Sequence, residues 1–101
     1  MDTKALIREA HARFEHNSAK KILKEKYQAK LTIANQGGLW KASPELIQFM
    51  DGIESVELIL EDIYENPIKV NRQQLLDILR ETHTRVMEEW YTDFQELKHK
   101  R

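Results

Sequence analysis

Apolar residues recur at helical spacing at both ends of the chain and at strand spacing in between. From Thr3 to about His16, Ala5, Leu6, Ala10, Arg13 and Phe14 share one helical face, with Asp2 or Thr3 placed to cap the free amides. Asn17-Ser18 reads as an interruption followed by a fresh N-cap, because both side chains accept from backbone donors two or three residues on. A helix running straight through is the alternative. From Ala19 onward Ile22, Leu23, Tyr27, Leu31 and Ala34 keep the helical period, while Lys20, Lys21, Lys24 and Gln28 fill the other face.

Two readings compete for Lys30 to Lys41. In the preferred one the helix continues to about Asn35 and ends in a left-handed cap at Gly37-Gly38. In the other, the β-branched Thr32 and Ile33 belong to a strand that turns at the glycines into Leu39-Trp40-Lys41. Ser43-Pro44-Glu45 then starts a short helix, with Ser43 as cap and Pro44 at the first helical position, where its missing N–H costs nothing. Leu46, Ile47, Phe49 and Met50 are its expected buried stripe, and Asp51-Gly52 ends it.

Val56, Leu58 and Leu60 alternate with Glu57, Ile59 and Glu61, the two-residue period of a half-buried strand. Asn66-Pro67 turns the chain, and Ile68-Lys69-Val70 returns antiparallel. Asn71 caps the last element, a long amphipathic helix with Leu75, Leu76, Leu79, Val86, Met87, Trp90, Phe94 and Leu97 on one stripe. Lys98, His99, Lys100 and Arg101 close it with positive charge, which suits the negative end of a helix dipole. At about 1.5 Å per residue this helix is near 40 Å long, more than a compact domain of this size needs, so part of its stripe is expected to face a partner.

The expected fold class is therefore α+β. It is one helix-rich domain over residues 1–101, with three or four helices and one antiparallel β-hairpin. Its parts are a basic helical segment (1–35), a short helix (43–51), the hairpin (56–70) and the long C-terminal helix (71–98). The length of 101 residues suits one domain, and the apolar share of 41% with 33% charged residues places the chain away from disorder.

Charge changes this picture more than composition does. The formal net charge is −1, yet Lys4, Arg8, Arg13, Lys20, Lys21, Lys24, Lys26 and Lys30 outnumber Glu9, Glu15 and Glu25 in the first segment. Between Ser43 and Pro67 there is no basic residue, but there are Glu45, Asp51, Glu54, Glu57, Glu61, Asp62 and Glu65. Two oppositely charged surfaces follow. Lys20, Lys21, Lys24, Lys26 and Lys30 with Tyr27 form a stripe that could contact phosphates, although a solvated helix face explains the same residues.

No catalytic signature is present. The chain has no cysteine, so disulfide and thiolate chemistry are excluded. His11 and His16 are five apart, outside the spacing that puts two metal ligands on one helix face, so no metal site is expected. Glu61-Asp62 and Glu88-Glu89 point to different faces and read as surface carboxylates rather than an acid and a base. Gly37-Gly38 lacks the rest of a phosphate loop. Neither an enzyme nor a cofactor is expected. Trp40 reads as a plug tying its loop to the core, with an exposed partner anchor as the alternative, and Trp90-Tyr91 and Phe94 read as core or interface. No apolar run is long enough to span a bilayer and the amino terminus lacks a signal peptide's apolar core, so a membrane partner is not expected.

The runs Asn17-Ser18-Ala19-Lys20, Tyr27-Gln28-Ala29-Lys30-Leu31, Asn35-Gln36-Gly37-Gly38-Leu39-Trp40-Lys41, Ser43-Pro44-Glu45-Leu46-Ile47 and Tyr64 to Arg72 resemble small proteins of T-even-type tailed phages and their cyanophage relatives, over residues 17 to about 91. The resemblance brings no catalytic motif. It implies a phage context, in the host cytoplasm or the virion, and a non-enzymatic role as a virion structural or assembly component. The expected partner is a protein, either a second copy or a larger phage or host protein. A nucleic-acid accessory factor using the lysine stripe, or a small regulator docked on an enzyme, are the alternatives.

Overall fold

The computed structural model describes residues 3–99, apart from the side chains of Glu9, Ala12 and Phe14. The Asp2 cap, the Phe14 side chain, Lys100 and Arg101 lie outside the described residues. The order of elements is α1 (Thr3–Lys30), β1 (Thr32–Asn35), β2 (Gly38–Lys41), α2 (Pro44–Asp51), β3 (Glu57–Glu61), β4 (Pro67–Asn71) and α3 (Arg72–His99). This is a helix-rich α+β domain with a long C-terminal helix, as the periodicity indicates. It has two antiparallel hairpins, β1–β2 and β3–β4, where the sequence reading had one.

The extra hairpin corrects the preferred reading of residues 30–41. Helix α1 stops at Lys30, and Thr32, Ile33, Ala34 and Asn35 pair with Lys41, Trp40, Leu39 and Gly38. The two turn residues, Gln36 and Gly37, have φ of 51° and 83°. Positive φ at both central positions is the turn geometry that matches the twist of paired strands, so the glycine-rich turn closes a hairpin rather than capping a helix. Gly38 has a different reason to be glycine. A Cβ there would lie 2.7 Å from both Ile68 Cδ1 and Trp40 Cζ2, so its absence lets the indole and the second hairpin close onto the strand. The indole Nε1 donates to the Asn35 carbonyl at 2.8 Å, which leaves the ring's one polar group satisfied.

Helix α1 passes through Asn17-Ser18 without a break. Asn and Ser inside a helix cost at most about 0.7 kcal/mol each relative to alanine, too little to interrupt a run rich in Ala, Lys and Glu. Helix α2 follows its sequence signals closely. The Ser43 hydroxyl accepts from Leu46 N–H at 3.2 Å, and Pro44 opens the helix. Its buried side is narrower than expected, because Met50 is fully buried and Leu46 and Ile47 pack against the core, whereas Phe49 is 57% exposed. Residues 46, 47 and 50 share one face; position 49 is turned away from it.

The core lies at one end of the molecule. Tyr27, Leu31, Trp40, Ala42, Met50, Leu60, Val70, Leu75, Leu76, Leu79 and Val86 form one cluster, bringing the end of α1, both hairpins and α2 around the first half of α3. Leu58, Leu60, Ile68 and Val70 face it from the second hairpin, whereas Val56 and Ile59 point outward. Arg72 ties the corner together: its N–H donates to Val56 O at 3.0 Å, Nε to Ser55 O at 3.1 Å and Nη1 to Met50 O at 3.1 Å.

From this end α1 and α3 run out as an antiparallel pair. Lys30 Nζ lies 3.5 Å from Glu89 Oε2, Lys26 Nζ lies 3.8 Å from Asp93 Oδ2, and Lys20 Nζ sits 5.9 Å from the Phe94 ring centre. The Lys20–Phe94 contact levels His99 with about residue 15 of α1, and the Tyr27–Asp93 and Lys30–Glu89 contacts level it with about residue 20, so α1 extends about 18–26 Å beyond the described end of α3. The molecule measures 66 × 24 × 20 Å with a radius of gyration of 19.4 Å, against about 13 Å for a compact chain of this length.

Candidate interaction surface

The long arm carries exposed apolar residues on both of its helices. On α1, Leu6 is 47% and Ile7 63% exposed, and Ile22 is exposed as well. Placing Ile22 in the buried stripe is corrected by the structure, in which Leu23, Tyr27 and Leu31 take the face toward α3. On α3 the buried stripe ends at Val86. Beyond it Met87 is 38% and Tyr91 66% exposed, and with the half-buried Trp90 and Phe94 they line an apolar depression of about 260 Å³. A second, wider groove of about 700 Å³ continues over His83, Thr84, Met87, Glu88, Tyr91 and Thr92.

Trp90 and Phe94 thus fall where a partner anchor would be placed. Trp40 does not: at 2% exposure it is a core residue, and the exposed-anchor alternative is set aside. Met87, read with the stripe of the last helix, and Tyr91, read as core or interface, complete the patch; the structure turns both outward at i, i+4 spacing.

The five lysines divide. Lys26 and Lys30 turn toward α3, where they approach Asp93 and Glu89 and flank the Tyr27 ring at 5.1 Å and 4.7 Å. Lys20 lies over Phe94. Lys21 and Lys24 are exposed. The stripe is therefore part of the seam between the two helices for most of its length, not one uniform basic face.

Within that seam the Tyr27 hydroxyl donates a short hydrogen bond to Asp93 Oδ2. This bond holds the phenol proton in place, and burial and the charges of Asp93, Glu89 and Glu96 act in the same direction, so the Tyr27 pKa is pushed up to about 12. Tyr27 is a neutral donor across the whole physiological range.

At the other end, Asp62 departs from its expected role as a surface carboxylate. It is buried at 9% exposure, with Oδ1 accepting from Tyr64 N–H and Asn66 N–H at 3.0 Å each and Oδ2 from Leu39 N–H at 3.2 Å. The Asn66 amide is the main cause that holds its pKa below the ordinary 3.8; burial opposes, and the Leu39 and Tyr64 amides add to the lowering. An Asp four residues before Asn66, in a turn that also requires the left-handed Glu65 (φ 65°), is the Asx-turn signal the sequence offered. Ile63 N–H donates to Leu39 O at 2.9 Å, so the loop of one hairpin is bonded to the strand of the other. Between them lies an open hollow of about 490 Å³ bordered by Asn35, Gln36, Asp62, Tyr64 and Asn66; the Asn35 Oδ1 has no hydrogen-bond partner among the described residues.

Among the described residues no three His, Asp or Glu side chains gather as a metal site would require, and no helix is long and apolar enough to cross a membrane. The arrangement defines a small α+β protein whose distinctive surface is apolar and helical. No family model matches the chain, no curated protein matches its sequence, and no solved structure matches its fold.

Proposed function

We propose that the chain is a non-enzymatic protein–protein interaction protein, working as a structural or assembly component of a tailed phage particle. The observation that carries the binding role is the arm: the far halves of two helices project beyond the core that their near halves help to enclose, with Leu6 and Ile7 on one and Met87 and Tyr91 on the other turned to solvent. Monomers rarely leave an apolar patch such as that of Met87, Trp90, Tyr91 and Phe94 open to solvent without a use for it. The phage setting rests on the sequence resemblance and adds the class of partner, a protein of the particle or of its assembly line.

The test is a photo-reactive residue at Tyr91 in the full chain, expressed during infection, with particles and lysate fractions analysed for the crosslinked species. One defined crosslinked protein, enriched with particles or assembly intermediates, is the expected result. A chain that forms no crosslink at Tyr91 and stays outside every particle fraction would overturn the proposal.

A further inference from the structure

We infer that the partner of the arm is a second copy of this chain, whose α1 overhang lies in the outer groove of α3. The inference rests on the binding role proposed above and names its occupant.

Three observations point to self-association. The first is length. The overhang, residues 3 to at least about 14, is about 18–26 Å long, enough to cover the α3 groove from His83 to Phe94, which extends about 16 Å. The second is geometry. Because α1 overhangs α3 at one end only, two copies placed with their arms pointing at each other lay each overhang alongside the other copy's α3. The contact is then made twice by one two-fold operation and closes on itself, as a dimer interface must. In this arrangement each overhang runs parallel to the α3 it meets, with its outermost residues toward the core of the other copy, so Ile7 comes beside Met87.

The third is charge. Residues 3–16 carry Lys4, Arg8 and Arg13 against Glu9 and Glu15, a net positive segment, while α3 from Glu81 to Glu96 carries Glu81, Glu88 and Glu96 against Arg85, apart from Glu89 and Asp93, which face Lys30 and Lys26 of the same chain. Glu88 borders the wide groove together with Met87 and Tyr91. Ile7 in that groove brings the neighbouring Arg8 to the level of Glu88. Opposite signs of this kind set the orientation and speed of encounter more than the affinity, which comes from the apolar contact. A lone helical extension this short is marginal in water, so the overhang gains order from the groove it fills.

The absence of cysteine in the chain makes a positional test clean. Ile7→Cys and Met87→Cys are made in separate full-length chains; both sites are exposed. The native mass of the unmodified protein is measured by light scattering over a wide concentration range, and the two variants are mixed under mild oxidation. The expected result is a particle of twice the 12.0 kDa chain mass and a mixed Ile7–Met87 disulfide forming in preference to either same-site disulfide. Ile7→Asp then weakens dimerisation by about tenfold or more.

A protein that remains monomeric at every concentration overturns the inference, as does a dimer in which the mixed disulfide forms no faster than the same-site ones. A monomer that still crosslinks to one defined particle protein through Tyr91 overturns self-association while leaving the binding role standing. A monomer with no crosslink removes both.

Discussion

The side-chain amide of Gln36 closes on the main chain of Asn71 from both ends: Oε1 accepts from Asn71 N–H at 2.7 Å, and Nε2 donates to Asn71 O at 3.3 Å. A residue in the turn of the first hairpin thereby imitates a strand beside the last residue of the second. Asn71 uses its own side chain in the other direction, with Oδ1 accepting from Gln74 N–H at 3.0 Å to cap α3. One turn, one strand end and one helix start are held by two residues.

Gln36→Ala removes both partners of Asn71 at once and is expected to destabilise the fold by about 1–3 kcal/mol, because a partly buried backbone N–H and C=O lose their hydrogen bonds. Urea unfolding of the variant beside the unmodified protein measures this. A difference within a few tenths of a kcal/mol would show that water replaces the amide at no cost.

Gly38→Ala is expected to cost about 1–3 kcal/mol by overpacking, since the added methyl meets the Trp40 ring, which cannot swing away inside the core. Gly37→Ala meets no atom within 4 Å and is opposed only by its φ of 83°. Tryptophan fluorescence separates the two: the Gly38 variant shifts the emission of the buried indole in the native state, and the Gly37 variant does not.

Asp62 sets an acid limit. Its folded pKa lies below the ordinary 3.8, so its contribution is fully present above that value and is lost as pH falls through the lowered one. Asp62→Asn presents an NH₂ where Leu39 N–H needs an acceptor. The variant should be less stable than the unmodified protein near pH 7 and closer to it at about pH 3, as read by urea midpoints at the two pH values.

Tyr27 sets an alkaline limit of opposite sign. With its pKa raised to about 12, the contribution of the Tyr27–Asp93 bond is whole below the ordinary 10.0 and is lost as pH rises through about 12. Tyr27→Phe should remove one late phenolate from the ultraviolet titration of the folded protein. If the variant's titration curve differs from the parent's only in its early part, the bond to Asp93 does not hold the proton.

Lys26→Ala and Lys30→Ala are expected to cost less than about 1 kcal/mol each, because both ion pairs are substantially exposed and their attraction is screened. Thermal unfolding at low and moderate salt checks this: the small difference shrinks as salt is added.

Much of the architecture could be read from the chain because its signals were local. Ser43-Pro44, the alternation around Leu58 and Leu60, and the heptad-like stripe from Leu75 each combine a period with a cap or turn. The reading of residues 30–41 failed where two local rules conflicted. A helical period through Ala34 competed with β-branched Thr32 and Ile33, and the decision came from tertiary contacts, Ile68 against Gly38 and Gln36 against Asn71, that no window of sequence contains. Asp62 was misread in part for a similar reason: its turn with Tyr64 and Asn66 is local and was legible, but its third bond, from Leu39 N–H, comes from 23 positions earlier. On the candidate surface, Trp90, Tyr91 and Phe94 could be anticipated from the sequence, whereas the exposure of Leu6 and Ile7 follows from where α3 ends relative to α1.

Helix α3 begins at Arg72, the residue immediately after β4, with no linker between strand and helix. Its direction is therefore inherited from the hairpin rather than chosen at a flexible joint. Over 28 residues, or about 42 Å, a tilt of about 10° at Asn71 displaces the far tip by about 7 Å. The hydrogen bonds that lock Gln36, Asn71 and Arg72 act on a lever, and a ligand or neighbour that strained the hairpin tips would have its effect magnified at the opposite end of the molecule.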